Sequence, residues 1–317
     1  MPEVARSRRT LLPRTDALRA RFLAWWDGRP PADLRAVGPG RPPQKAAPAP
    51  DVETAAPPAE TNRFWTAARI ELAQSIWGRE HVTPAGEDHI ATLLKPLALD
   101  PSMSVMEIGA GLGAATRMMH KRFGAWPKSF EPDADLAATG MFLSTAAGLA
   151  KKAPVLHAGL AGIDIRANGF DRIILRDVIH RAPDKAELLR GAAVGLRRRG
   201  QLLVTDLVLS GADGAGSPDA AAWSAGEPGP AAPWTEADLK AGIAACGLSV
   251  HIAEDESAGL RSRILDGWAA FQARLVAERP GPATMLLALQ EGERWRRCVA
   301  AIDAGALRHF RIIASKS

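Results

Sequence analysis

Residues 105–113, Val-Met-Glu-Ile-Gly-Ala-Gly-Leu-Gly, constrain this chain more than any other stretch. An apolar run of strand length meets three glycines at alternate positions, and helix-forming residues follow from Ala114. A strand, turn and helix in that order place backbone N–H groups at the carboxyl edge of a parallel sheet, where α/β folds bind nucleotide-like ligands. Gly109 and Gly111 are expected to let backbone amides approach a ligand where a Cβ would clash. Glu131 stands 22 residues beyond Gly109, at the end of the second strand candidate, where a carboxylate accepts from both hydroxyls of a ribose. A glycine loop alone is weak, because Gly109, Gly111 and Ala114 also satisfy the dinucleotide pattern G-x-G-x-x-A. Glu107 is the discriminator: a carboxylate at the strand end attracts a cationic amino-acid ligand and repels a pyrophosphate.

Beyond Pro101 short strands alternate with helices. Strands are predicted at 104–108, 128–131, 154–157, 170–176, 201–206, 248–253 and 307–314. Helices are predicted near 114–123, 134–148, 184–197 and 235–245. Such alternation implies an α/β fold with a doubly wound, mostly parallel seven-stranded sheet covered on both faces. A helical insertion over roughly 258–300 precedes the last strand. Ahead of this core (101–317), Phe64, Ala68, Leu72 and Ile76 recur every fourth residue, which predicts a helix closed by Gly78. A second helix over 85–95 stops before Pro96, so 61–100 reads as a helical unit. Residues 36–60 are a Pro/Ala-rich linker. Residues 1–35 are a basic arm, with an amphipathic helix over 11–28 that sets Leu18, Phe22 and Trp25 on one face.

Charge separates the arm from the rest. Residues 1–45 hold ten Lys or Arg against four acids, so the remainder of a chain with net charge +5 is close to neutral. A neutral core argues against a nucleic-acid-binding surface, and any contact with a membrane surface or an acidic protein falls to the arm. No apolar h-region follows the basic start and no apolar run reaches membrane-spanning length, so neither a secretory signal nor an anchor is expected. Cys246 and Cys298 lack metal-ligand spacing, and free thiols in a cytoplasmic protein are expected, with no metal site.

With these motifs in place, the sequence resembles the class I S-adenosylmethionine-dependent methyltransferases over residues 62–317. Glu107 to Gly113, through Gly109, Ala110 and Gly111, is similar to their signature E-x-G-x-G-x-G. SFEPD at 129–133 resembles the second-strand motif, which implies Glu131 on the ribose with Pro132 and Asp133 beside the adenine. Residues 170–184 resemble the fourth-strand motif, which implies that Asp177 to His180 face the active site. The stretch 196–206 is similar to the segment before the fifth strand, with Arg198-Arg199-Gly200 in place of the usual K-P-G-G. The acid that the family often carries after its third strand is absent from 157–162; Asp164 or the backbone is left to hold the adenine. Residues 76–90 resemble the lid of members acting on phosphoethanolamine, quinones or sterols. The resemblance thus implies a Rossmann-like methyltransferase fold with an antiparallel seventh strand, S-adenosylmethionine as cofactor and a small-molecule acceptor. Two alternatives stay open at this point: an NAD-dependent oxidoreductase, and a non-catalytic protein that keeps the fold for binding or regulation.

Methyl transfer needs alignment and a dry site, with a base only where the acceptor must lose a proton. His180, Asp177, His81 and His89 are the candidate acid/base groups; Asp177 also suits a helix cap, and it counts among the candidate cofactor contacts. Among nine tryptophans, Trp77, Trp223 and Trp234 are candidates for a pocket wall or for core packing. Arg197 to Arg199 are expected at a helix end, interacting with its dipole.

Overall fold

The computed structural model describes residues 63–317, apart from 212, 213, 215 and 279 and the side chain of residue 276. The expected arm with its helix over 11–28 and the linker over 36–60 lie outside the described residues.

Seven strands form one sheet: β1 (Ser104–Ile108), β2 (Trp126–Glu131), β3 (Val155–His157), β4 (Phe170–Arg176), β5 (Leu196–Leu209), β6 (Leu248–Asp255) and β7 (Leu307–Lys316). Their order is β3-β2-β1-β4-β5-β7-β6. The first five run parallel, and β7 runs antiparallel to both β5 and β6. Chain order reverses between β1 and β4, and the glycine turn that follows β1 stands at that switch point, where α/β sheets open a crevice.

Successive residues of each central strand enter opposite cores. Met106, Ile173, Leu202 and Ile312 pack on one face with α5 (Lys185–Gly195) and α7 (Glu236–Ala245). Val105, Ile174, Leu203 and Ile313 pack on the other with α2 (Glu87–Leu94) and α3 (Ala114–Phe123). Burial on both sides is why Val105, Met106 and Ile108 are apolar without strict alternation, and why Glu107 between them must be paired.

The expected end of the helix near 197 is corrected. Helix α5 stops at Gly195, and Leu196 already pairs with Phe170 on β4. Arg197 to Arg199 therefore open β5, with Arg197 paired to Asp171 at 2.5 Å and Arg199 at φ +60°. The register shift between Phe170 and Arg172 takes up the bend.

A third core lies over the carboxyl edge of the sheet. Helices α1 (Ala67–Trp77), α6 (Pro218–Ser224), α8 (Ser257–Glu278) and α9 (Pro282–Asp303) pack there with Leu112, Leu136 and Leu307. Helix α1 and the insertion after β6 thus make a single cap, while α2 packs on the sheet. Trp77 of α1 meets Trp268 of α8 edge-on at 6.2 Å and Trp295 of α9 at 5.1 Å. Gly267 permits the contact, since a Cβ there would stand 2.5 Å from the Trp77 ring. No helix among the described residues is long and apolar enough to cross a membrane.

Candidate functional site

The turn after β1 is wired into the sheet before any ligand is considered. Gly109 and Ala110 both donate to the Phe130 carbonyl, at 2.9 and 3.1 Å. Gly109 has φ +90°, and a Cβ there would stand 2.2 Å from the Arg176 carbonyl oxygen. A Cβ on Gly113 would stand 2.5 Å from Val155. Those two glycines serve close packing against their own protein, and Gly109 also borders the cavity. Gly111 alone has room, with nothing closer than Val82 at 3.7 Å. Its N–H donates to Glu131 Oε2 at 2.7 Å, and the Asp133 N–H donates to Oε1 at 3.0 Å. Burial pushes the Glu131 carboxyl above the usual range against the pull of Arg181 and these two N–H groups.

Glu107 does not play the part its position suggested. It is 0% exposed and absent from the cavity wall. Its carboxylate accepts from Thr116 Oγ1 at 2.8 Å and Ser129 Oγ at 3.2 Å, and pairs with Arg176 at 2.9 Å. The charge meant to welcome a cationic ligand is neutralised from inside, and the expectation of direct contact is corrected. Arg176 links it to the turn by donating to the Ala110 carbonyl at 2.9 Å, and Arg176 itself lines the cavity.

A further clamp was not seen in the sequence. Arg117, almost fully buried, donates to the Leu112 carbonyl at 2.7 Å, contacts Gly140 and Ser144, and pairs with Glu80 at 2.8 Å. It ties the glycine turn to the segment after α1.

One cavity runs from the glycine turn to the underside of the cap. Gly109, Gly111, Glu131 and Leu136 line one end; Trp223, Leu260 and Trp295 line the other. His180 and Asp177 stand in the same wall, on the stretch after β4. His180 Nδ1 lies 2.5 Å from Asp206 Oδ1, and Asp206 Oδ2 accepts from the Ile179 and His180 N–H groups at 2.6 and 3.2 Å. The capping role weighed for Asp177 is therefore filled by Asp206. Asp177 adopts φ +54° and instead accepts from His309 Nε2 of β7 at 3.0 Å. Burial would raise the Asp177 carboxyl, but the His309 bond and charge, with Arg176 and His180 nearby, hold it well below the ordinary range. The same pair holds His309 above its usual value despite burial, with help from Glu256.

The remaining candidates divide. His89 lines the cavity, and burial, then the Arg263 charge, lowers it to about 4. His81 does not reach the wall, and neither do Asp164, Trp77 and Trp234. Pro132 and Asp133 are also outside it; Asp133 caps α4 (Ala134–Ala146) by accepting from Asp135 and Leu136. Cys298 lines the cavity as a buried thiol, raised to about 12 by burial and Glu227, and Cys246 is also free. No cluster of metal-ligating side chains occurs among the described residues. Asp206, His309, Arg263 and Trp295 were missed because nothing local marks them; each reaches the site from a distant element.

No family model and no curated protein matches this sequence. Solved structures do match its fold. Phosphoethanolamine N-methyltransferase 2 of Haemonchus contortus, with phosphomonomethylethanolamine and S-adenosylhomocysteine, superposes with a TM-score of 0.66 at 16% identity over 78% of this chain. The chain spans 56% of that enzyme's length. Geranyl diphosphate C-methyltransferase of Streptomyces coelicolor A3(2), in complex with Mg2+, geranyl diphosphate and S-adenosylhomocysteine, gives 0.58 at 14% identity over 73% of this chain and 79% of that one. The [4+2]-cyclase SpnF gives 0.60 at 16% identity, over 78% and 92%. This chain therefore has the Rossmann-like fold of the small-molecule methyltransferases, with β7 inserted antiparallel between β5 and β6.

Proposed function

We propose that this chain is an S-adenosylmethionine-dependent methyltransferase acting on a small molecule. The observation that carries the reading is that Gly111, Glu131 and His180 share one cavity at the sheet's switch point. The residues fit a nucleoside. Two backbone N–H groups fix the Glu131 carboxylate, and each oxygen keeps a lone pair for a ribose hydroxyl. Arg176, beside Ala110, fits the carboxylate of an amino-acid tail. With Glu107 neutralised, the case against a dinucleotide rests on the antiparallel β7 and the cap.

The cofactor supplies an activated methyl group on a sulfonium. The protein's own part is alignment under the cap and exclusion of water, by Trp223, Leu260 and Trp295. His180 supplies a base for acceptors that must lose a proton. Asp206 takes the Nδ1–H, which leaves Nε2 as the proton-accepting nitrogen.

The test is turnover. Labelled S-adenosylmethionine and a metabolite extract, incubated with the purified chain, should yield labelled product, and S-adenosylhomocysteine but not NAD(H) should raise the melting temperature. A shift with NAD(H) alone removes the cofactor assignment. Because a [4+2]-cyclase has the same fold, binding of S-adenosylhomocysteine without transfer to any acceptor would favour a cofactor-binding protein with other chemistry.

A further inference from the structure

Apart from Glu131, the cavity wall's unpartnered polar atoms are one-sided. Six of its residues hold buried polar atoms without a partner: Arg181 Nε, Thr205 Oγ1, Trp223 Nε1, Arg294 Nε, Trp295 Nε1 and His309 Nδ1. Four of these can only donate, and the hydroxyl and the imidazole can also donate. The unpartnered acceptors among the described residues, Gln201 Oε1 and Glu256 Oε2, belong to residues outside the wall. The wall also holds three carboxylates, of which Asp177 pairs with His309 and Glu227 with Arg294. Arg176 is neutralised by Glu107, and Arg294 by Glu227 and Glu291. Arg181 and Arg263 pair with no carboxylate among the described residues; each donates to a backbone carbonyl, of Asp177 and Pro84. Arg263 lies near enough to His309 for their charges to act on one another. It also follows Leu260 by one helical turn on the cavity side of α8.

We propose that the molecule held under the cap is an anion, which presents a carboxylate or phosphate to Arg263 and His309 and an apolar body to Trp223, Leu260 and Trp295. Naming that molecule the methyl acceptor rests on the function proposed above. The recognition itself rests on the donors: an oxyanion can accept from them, whereas an ammonium can be met there only by Thr205 Oγ1 or His309 Nδ1, and Arg181 and Arg263 have carboxylates acting on them but none in direct ion-pair contact.

The experiment is titration calorimetry on the full chain, with and without saturating S-adenosylhomocysteine. The probes are four molecules of like shape: benzoate, phenyl phosphate, benzyl alcohol and benzylamine. At least one anion should bind roughly tenfold to a hundredfold tighter than the alcohol, and the amine weakest. The two anions distinguish carboxylate from phosphate recognition. Arg263→Gln should remove the preference and leave S-adenosylhomocysteine affinity unchanged. Equal binding of the alcohol or the amine, or no binding of either anion, overturns the inference; this comparison uses the unaltered protein and needs no variant to fold. Retention of the preference in Arg263→Gln overturns the assignment of the subsite. Anion binding without S-adenosylhomocysteine binding would leave this inference standing and remove the cofactor reading instead.

Discussion

Asp206 holds His180 twice. One carboxylate oxygen lies 2.5 Å from the ring Nδ1, and the other accepts the N–H of the same residue at 3.2 Å. A carboxylate one strand away thus sets both the backbone and the tautomer of the candidate base. His180→Ala should lower methyl transfer by roughly 10² to 10⁴-fold for an acceptor that must be deprotonated, with S-adenosylhomocysteine affinity unchanged. Asp206→Asn should reduce the rate less, since an amide oxygen still accepts the ring N–H. Initial rates alongside calorimetry check both; a variant with full activity removes the base.

Glu131 should matter to binding more than to folding. Glu131→Ala removes an acceptor for the sugar and releases the Gly111 N–H that orders the turn. A hydrogen bond to a charged group is worth about 1.5–3 kcal/mol, so affinity for S-adenosylhomocysteine should fall by at least about tenfold to a hundredfold. Calorimetry reads this directly, and unchanged affinity takes Glu131 out of the site.

For Glu107 the expectation is the reverse. Glu107→Gln leaves Arg176 without its counter-charge in a buried place, a kind of change that costs about 3–5 kcal/mol. The double variant Glu107→Gln with Arg176→Met should recover part of that loss. Urea midpoints of the three proteins test it, and equal midpoints for wild type and Glu107→Gln would show the pair to be dispensable.

Two glycines in one turn should respond differently. Gly109→Ala drives a Cβ into the Arg176 carbonyl and should destabilise the fold severely. Gly111→Ala meets no backbone and costs about 1–3 kcal/mol for its φ of +56°. Its main effect should be weaker S-adenosylhomocysteine binding. Melting curves and titrations on the pair separate packing from ligand approach.

His89 and His309 line one cavity and should give opposite pH slopes. His89 in the folded protein is lowered to about 4, so between there and about 6.5 the unfolded chain binds more protons, and stability rises with pH. His309 is raised by Asp177, so its contribution is full below about 6.5 and is lost as pH rises through its folded value. His89→Gln should flatten the acid limb of the stability profile, and His309→Gln the alkaline limb. Urea unfolding from pH 4.5 to 8.5 checks both signs.

Most of the sheet was legible because its signals are local. The apolar run at 104–108, the turn glycines and the helix from Ala114 are neighbours in sequence, and six of the seven strands begin within two residues of where the pattern puts them. Strand β5 begins five residues early because pairing with Phe170 outweighs a basic run that reads as a helix end. The site was less legible. Its glycine turn, Glu131 and His180 could be named, yet their partners could not.

What the chain's own pattern determined, then, is the alternation of strand and helix, the place of the turn at the sheet's edge, and two candidate groups, Glu131 at the end of β2 and His180 after β4. Only the tertiary structure decided that Arg176, 69 residues away, neutralises Glu107, that His309, 132 residues away, takes Asp177, and that two helical segments close as one cap. The physical reason is range. Backbone propensity and apolar periodicity act over a few residues, whereas the charge a buried carboxylate presents depends on whichever cation the fold brings within about 4 Å of it.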